Sequence, residues 1–284
     1  MQRNRRIDWI RASVVVSASL SAPASAPASA QVTLRTTSAE VRDMTADVFY
    51  LWTAPARADR RDWLGVAAVS VGFGALLTVD DQIDRWIVGH PRSVVVLAAA
   101  PFRERHRELA RLPTARRLIP ISAALVAAGM ATDDRGLREA GYGCLSGWAL
   151  SSTLRYAIYA AVSRERPGSA AGDQFEFHVP GGKWDQHSFF AGHGANAFAC
   201  VTFWSERFHL GVGEPVLYAA ATGISLARMA DRRHWGSDAF LGAVVGYATA
   251  RAIDSRYDRR EGRRRRRDLP APNAVAVIIW ERRF

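Results

Sequence analysis

The sequence predicts an all-α protein, a bundle of about six main helices with one short strand near the C-terminus. Apolar stretches of helical character recur along the 284-residue chain. Alanine and glycine dominate these stretches, which favours closely packed helices over sheets. Residues 274–280, AVAVIIW, are β-branched and predict the strand.

The six helices are placed where the apolar stretches begin and end. Between the third and fourth stretches lies the segment 164–193, which is rich in glycine, proline and histidine and predicts a long loop. Loops of that length inside a compact domain are usually functional. The predicted helices cover residues 63–79, 117–132, 142–163, 194–208, 214–229 and 239–253.

The domain organisation follows from composition along the chain. Residues 1–30 predict a signal peptide, because a basic start, a short apolar core and small residues at Ala28 and Ala30 precede the expected cleavage after Ala30. Residues 31–62 form a lead-in, and 63–255 the helical domain. Residues 256–284 are expected to be an arginine-rich solvated tail with the terminal strand.

The charge predicts an anionic partner. The net charge is +11, and arginines concentrate in residues 256–267. Such a balance attracts phosphate esters or anionic lipid head groups. Nucleic acid is not expected, because no recognisable binding module accompanies the arginines. The arginine tail makes an anionic membrane surface a possible partner.

Helix length bears on the location of the protein. Most predicted helices are short against the roughly 20 residues that cross a bilayer, and the longest contains Arg155. A protein exported to the periplasm, soluble or peripherally attached, is therefore favoured over an integral inner-membrane protein. The chain has two cysteines, Cys144 and Cys200, which we expect at different depths, about 33 and 10 Å from Arg166 and His193 along their helices, and not bonded.

Three polar segments interrupt the apolar helices. The first, SRERPG, carries Arg164 and Arg166. The second, HSFFAGHGANAF, contains Gly192 and His193, and the third, ARMADRRHWGSDAFLG, contains Arg228, His234 and Asp238. If neighbouring helices run antiparallel, all three segments meet at one end of the bundle.

Their residue types suit phosphate chemistry. Arginines form bidentate bonds to tetrahedral oxyanions, and Gly192 allows an anion to approach the start of a helix. A carboxylate at Asp238 can hold one ring nitrogen of His234 while the other attacks phosphorus, and His193 can protonate the leaving oxygen.

Simpler structural roles remain open for several of these residues. Asp238 could cap the last helix, alone or in addition. His234 could be a structural loop histidine, and Arg164 is the arginine most expected to be exposed. His178 and His187 have no partners at metal-ligand spacing in the sequence and are not expected to be ligands.

The three segments resemble the signature of the type 2 phosphatidic acid phosphatases, a superfamily shared with bacterial class A acid phosphatases and vanadium haloperoxidases. Arg166-Pro167 matches the first part, Gly192-His193 the second, and Arg228, His234 and Asp238 the third with its spacing intact. The resemblance covers about residues 155–247.

The resemblance implies a helical bundle that works without a metal or other cofactor. His234 would be the nucleophile that forms a phosphohistidine, Asp238 its orienting group and His193 the general acid. Arg166 and Arg228 would bind the phosphate.

The sequence departs from the family pattern in its first two parts. Tyr159 stands where the family has lysine, and Arg155, one helical turn earlier, is the expected substitute. Phe190 and Ala191 replace the proline and serine of the second part, and Ala227 replaces the serine of the third.

The function expected from the residues and the resemblance is hydrolysis of a phosphate monoester, with a phospholipid or another lipid phosphate among the candidate substrates. The replaced lysine and serine keep open a family member that has lost catalysis and serves as a cell-envelope binding or structural protein. A vanadate-dependent haloperoxidase is a third, minor alternative.

Overall fold

The computed structural model describes residues 28–103, 114–169, 172–180 and 186–268. The all-α prediction is confirmed: the described residues form nine α-helices and one small antiparallel pair of strands. The helices are α1 (Ala28–Trp52), α2 (Arg60–Leu77), α3 (Asp80–Gly89), α4 (Val94–Ala99), α5 (Thr114–Ala131), α6 (Arg135–Ala161), α7 (Gly192–Phe208), α8 (Glu214–Ala230) and α9 (Gly236–Asp268), and the strands are β1 (Ser163–Arg164) and β2 (Phe177–His178).

The chain divides into two compact units, residues 1–43 and 44–284. In the first unit the described residues are the opening part of α1. The second unit contains the end of α1 and all later helices. The predicted boundaries at 62/63 and 255/256 both fall inside helices, α2 and α9. Residues 1–27 of the predicted signal peptide and the predicted strand 274–280 lie outside the described residues.

Local sequence explains where several helices begin. The Asp59 side chain accepts hydrogen bonds from the backbone N–H groups of Arg61 and Asp62. The Asp62 carboxylate in turn accepts from the backbone N–H of Asp59, which completes a capping box at the start of α2. Asp134 caps α6 through the N–H of Leu137 at 3.1 Å. The short loops that join α5 to α6 and α7 to α8 make these neighbours antiparallel.

Helix α7 lies at the centre of the bundle and packs against α6, α8 and α9. Small residues allow the close approach that the alanine and glycine content predicts. A Cβ added at Gly246 of α9 would lie 2.2 Å from the carbonyl oxygen of Ala195 on α7. A larger residue there would force the two helices apart.

The two cysteines form a disulfide between α6 and α7, with a Cα–Cα distance of 4.4 Å, so the expectation that they stay unbonded was wrong. That expectation measured the depth of Cys144 from Arg166, as if α6 continued as far as Arg166. In the structure α6 ends at Ala161, and Arg155 is the residue level with the start of α7. Measured from Arg155 and from the start of α7, Cys144 and Cys200 lie about 16 and 12 Å deep, which brings them together.

Helix α9 continues to Asp268, so the first part of the predicted solvated tail is helical. Arg256 and Arg260 form ion pairs with Asp47 at the end of α1, and Asp47 is fully buried. These ion pairs explain why this segment is helical and not a solvated tail, because a buried carboxylate is stable only beside a cation. Asp238 and Arg256 lie about 27 Å apart along α9.

One pair of helices together has the length and apolar character of a membrane span. Within the described residues no single helix has the required length and apolar character, whereas α2 and α3, bent by 53° where they join, meet the criteria as a pair.

Candidate active site

A pocket of about 240 Å³ opens at the end of the bundle where α6 and α8 finish and α7 and α9 begin. Basic and aromatic side chains line it. The lining residues are Arg155, Tyr159, Arg166, His193, Arg228, Arg233 and His234.

The structure therefore brings together the three polar segments of the sequence. Of the predicted site residues, all but Gly192 and Asp238 line the pocket directly. Gly192 begins α7 beside it, and a Cβ added there would lie 2.2 Å from the Nη1 atom of Arg155. Ala191 precedes α7 and supplies no capping side chain, so the first N–H groups of α7 are left for an anion.

Sequence reasoning missed Arg233, whose exposed side chain lines the mouth of the pocket. It directly precedes His234, so its charge and position were signals in the sequence. Arg155 lines the pocket from α6 and lies close enough to the rings of Tyr156 and Tyr159 for cation–π contact, at 4.7 and 5.7 Å.

His234 is held in one tautomer by a backbone carbonyl. Its Nδ1–H donates to the carbonyl oxygen of Ser188 at 2.7 Å, which leaves Nε2 without a proton. Burial lowers the pKa of His234 well below its usual value, and Arg228 and His193 lower it further, against the raising effect of the Ser188 carbonyl. A buried, neutral imidazole with a free ring nitrogen is a competent nucleophile.

Asp238 does not make the expected hydrogen bond to His234. Its carboxylate accepts from Arg164 Nη1 at 2.9 Å, from Ser188 Oγ at 2.5 Å and from the backbone N–H of Trp235 at 3.1 Å. Burial raises its pKa, and Arg164 opposes that shift. Asp238 lies in the first turn of α9 and is therefore not the N-cap that the sequence left open, although it accepts from the backbone N–H of Trp235 just before the helix. Ser188 stands between Asp238 and the histidine.

Arg164 is fully buried, so the expectation that it is exposed was wrong. Strand β1 turns it inward, where its guanidinium donates to Asp238 and, at 2.8 Å, to Asp80 of α3. Ser237 Oγ and the carbonyl oxygen of Gln174 accept its other hydrogen bonds. Two buried carboxylates thus pair with one buried guanidinium.

His193 is neutral at neutral pH. Burial lowers its pKa to about 3, and the positive charges of Arg228 and Arg155 act in the same direction. A bound phosphate would oppose those charges and favour the protonated form.

Tyr159, which replaces the family lysine, adds no charge. Burial raises its pKa to about 12, and its ring stacks on His187 with the centroids 4.5 Å apart. Arg155 supplies the positive charge on this face of the pocket.

His178, which has no partners at metal-ligand spacing in the sequence, lies beside two carboxylates in the fold. Its Nε2 atom lies 3.3 Å from Glu165 Oε1 and 3.5 Å from Glu176 Oε1. The three possible ligand atoms all lie within 4.8 Å of one another. Gln186 also donates to Glu165, at 2.8 Å, so hydrogen bonds within the group already account for its geometry. His187 is the ring that stacks on Tyr159.

An all-α bundle that presents arginines, neutral histidines and a helix N-terminus in one pocket has the groups that suit binding of a phosphate. Comparison with known families agrees: residues 142–260 match the family model of the PAP2 superfamily. This match supports a member of the superfamily of the type 2 phosphatidic acid phosphatases, which are generally phosphoesterases. The matched region runs from α6 to α9 and includes every predicted site residue. No curated protein and no solved structure matches the chain.

Proposed function

We propose that this protein is a metal-independent phosphatase that hydrolyses a phosphate monoester through a phosphohistidine at His234. The observation that carries the proposal is His234 itself, buried, neutral and fixed by Ser188 so that Nε2 is free, in a pocket lined by four guanidinium groups. Those groups supply the positive charge that the transferring phosphoryl group requires.

The first step breaks the ester. Nε2 of His234 attacks phosphorus, a P–N bond forms, and the P–O bond to the alcohol breaks. Arg166, Arg228 and the first N–H groups of α7 bind the equatorial oxygens. The alcohol oxygen takes a proton from His193.

The proton on His193 arrives with the substrate. Because the pKa of His193 is about 3, the free enzyme at neutral pH carries no proton on this residue beyond the neutral imidazole. A phosphate monoanion can deliver one to His193 as its charge offsets the arginines. In the second step His193, neutral again, takes a proton from water, which attacks phosphorus as the P–N bond breaks.

The pocket is large enough for the phosphate end of the substrate alone. About 240 Å³ is below the roughly 300–1,000 Å³ of sites that enclose a whole drug-sized ligand. The alcohol portion then lies outside, which is compatible with a lipid-linked or other bulky ester.

Hydrolysis tests the proposal directly. The purified protein is given p-nitrophenyl phosphate and a lysophosphatidate, with and without EDTA, beside a His234→Ala variant. We expect EDTA-resistant release of phosphate that the variant lacks, and an acid-labile phosphoenzyme in the wild type. His90→Ala, which removes an exposed imidazole, is the matched control and should retain activity.

Other results would favour other functions. No hydrolysis of any phosphoester by folded wild-type protein would contradict the proposal and favour a non-catalytic envelope protein, the alternative suggested by Tyr159 and Ala191. Halide oxidation after addition of vanadate would favour the haloperoxidase.

We also propose that the protein is exported to an oxidising compartment, the periplasm, as the leader sequence indicates. The disulfide between Cys144 and Cys200 supports this location, because such bonds persist mainly outside the cytosol. Secretion of a protein cleaved after Ala30 into the periplasm is the expected outcome, and mass spectrometry of the mature N-terminus would check it.

An anionic membrane surface is the partner we propose for the arginine-rich end of α9. Helix α2 offers an apolar contact to the same partner, since it has no buried residue and Trp63 and Val71 are 55% and 73% exposed. Binding to phosphatidylglycerol vesicles, but not to phosphatidylcholine vesicles, and its loss in high salt are expected in co-sedimentation. Equal binding to the two kinds of vesicle would contradict the proposal that the arginines bind anionic head groups.

A further inference from the structure

A buried chain of polar side chains connects α3 to the nucleophilic histidine. Asp80 accepts from Arg164 Nη2 at 2.8 Å, Arg164 Nη1 donates to Asp238 at 2.9 Å, and Ser188 Oγ donates to the other oxygen of Asp238 at 2.5 Å. The backbone carbonyl of Ser188 then accepts from His234 at 2.7 Å.

We propose that Ser188 is a positioning residue for His234, through which Asp238, and behind it Arg164 and Asp80, hold the imidazole ready to attack phosphorus. This inference rests on the proposed function for its kinetic consequences and on the hydrogen bonds alone for its structural ones. Asp238 then acts on His234 only through Ser188.

Burial restricts this series of hydrogen-bonded side chains to one set of partners. Ser188, Arg164, Asp80 and Asp238 all have 0% exposure, so water cannot replace a lost partner. A polar group left unsatisfied in such surroundings costs more than the bond it lost. The Ser188 hydroxyl therefore fixes the peptide that carries the carbonyl, and the carbonyl fixes the ring.

The donor groups of Arg164 explain why the hydrogen-bonded chain extends to α3. Asp238 accepts from Nη1 of the guanidinium, and Asp80 accepts from Nη2. Asp80 also accepts hydrogen bonds from the backbone N–H and the hydroxyl of Ser237, the second residue of α9. Asp80 lies outside residues 142–260, so a residue beyond the family match contributes to the geometry of the nucleophile.

The perturbation that tests the proposal is Ser188→Ala, which removes the hydroxyl and keeps the carbonyl. We expect kcat to fall about ten- to hundredfold, as for loss of one hydrogen bond to a charged group, with KM nearly unchanged. Ser188→Thr keeps a hydroxyl and should restore most of the rate. Ser146→Ala is the matched control, because Ser146 is equally buried but bonds within α6, to the carbonyl oxygen of Tyr142.

A double-mutant cycle separates the indirect role of Asp238 from a direct one. If Asp238 acts through Ser188, the pair Ser188→Ala and Asp238→Asn should lower kcat no further than Asp238→Asn alone. Effects that multiply would overturn the proposal, as would a Ser188→Ala variant with wild-type kcat.

A readout without activity keeps the inference testable if the protein hydrolyses nothing. Nitrogen-15 NMR of the histidine side chains should show His234 with its proton on Nδ1 in the wild type and in Ser146→Ala. In Ser188→Ala the Nδ1–H signal should shift or broaden as the ring gains freedom. An unchanged signal in folded Ser188→Ala would overturn the positioning role, whereas absent hydrolysis with the expected NMR shift would count against the proposed function alone.

Discussion

Acidification should destabilise the folded protein through His193, because its pKa falls from about 6.5 in an unfolded chain to about 3 in the fold. Below pH 6.5 the unfolded state binds a proton that the folded state does not. Stability is therefore fully present above pH 6.5 and is lost as the pH falls toward 3.

The magnitude follows from 1.36 kcal/mol for each pH unit in that window. Between pH 7 and pH 4.5 the contribution of His193 amounts to about 2.5 kcal/mol of the free energy of unfolding. That is a large share of the roughly 5–15 kcal/mol that holds a domain together.

Urea unfolding at pH 7, 5.5 and 4.5 measures this contribution in the absence of ligand. The free energy of unfolding of the wild type, minus that of His193→Gln, should decrease by about 2.5 kcal/mol from pH 7 to pH 4.5. The subtraction removes the other titrating groups, such as Asp238, which both proteins share. A difference that stays constant with pH would refute the reasoning, and His90→Gln should follow the wild type throughout.

Two further perturbations test the disulfide and the pocket mouth. Cys144→Ala with Cys200→Ala should lower the free energy of unfolding by about 4 kcal/mol, since the bond closes a loop with a sequence separation of 56; urea unfolding of the oxidised wild type gives the comparison, and equal midpoints would show that the bond adds nothing. Arg233→Ala should raise KM for a phosphate monoester about fivefold with little change in kcat, because an exposed guanidinium at the mouth binds substrate before the reaction. Arg251→Ala, an exposed arginine paired with Glu206, should leave KM as in the wild type, and a fall in kcat for Arg233→Ala would instead place that residue in the chemical step.

The helices were predictable because apolar periodicity and glycine punctuation are local. The predicted helices 194–208 and 214–229 lie within two residues of α7 and α8 at each end. The extension of α9 was not predictable, since Arg256 meets its partner Asp47 only in the folded chain, 209 residues away in sequence. Nor could local pattern place the cysteines, because their meeting depends on where α6 stops.

The site residues likewise divide into those that the sequence predicted and those that it did not. Spacing in the third segment predicted Arg228 and His234, and helix order predicted that His193 and Arg166 join them. The role of Ser188 gave no signal, because the group that holds His234 is a backbone carbonyl, which every residue has. Arg164 was misjudged because its exposure depends on strand β1 turning it inward.

The length of α9 has a consequence for inhibition. The pocket lies near its first turn and the arginines begin about 27 Å further along, so one polyanion bound at Arg256 and beyond does not occupy the place of the substrate. A polyanion shorter than about 27 Å that binds at these arginines should therefore not compete with substrate, whereas inorganic phosphate should compete.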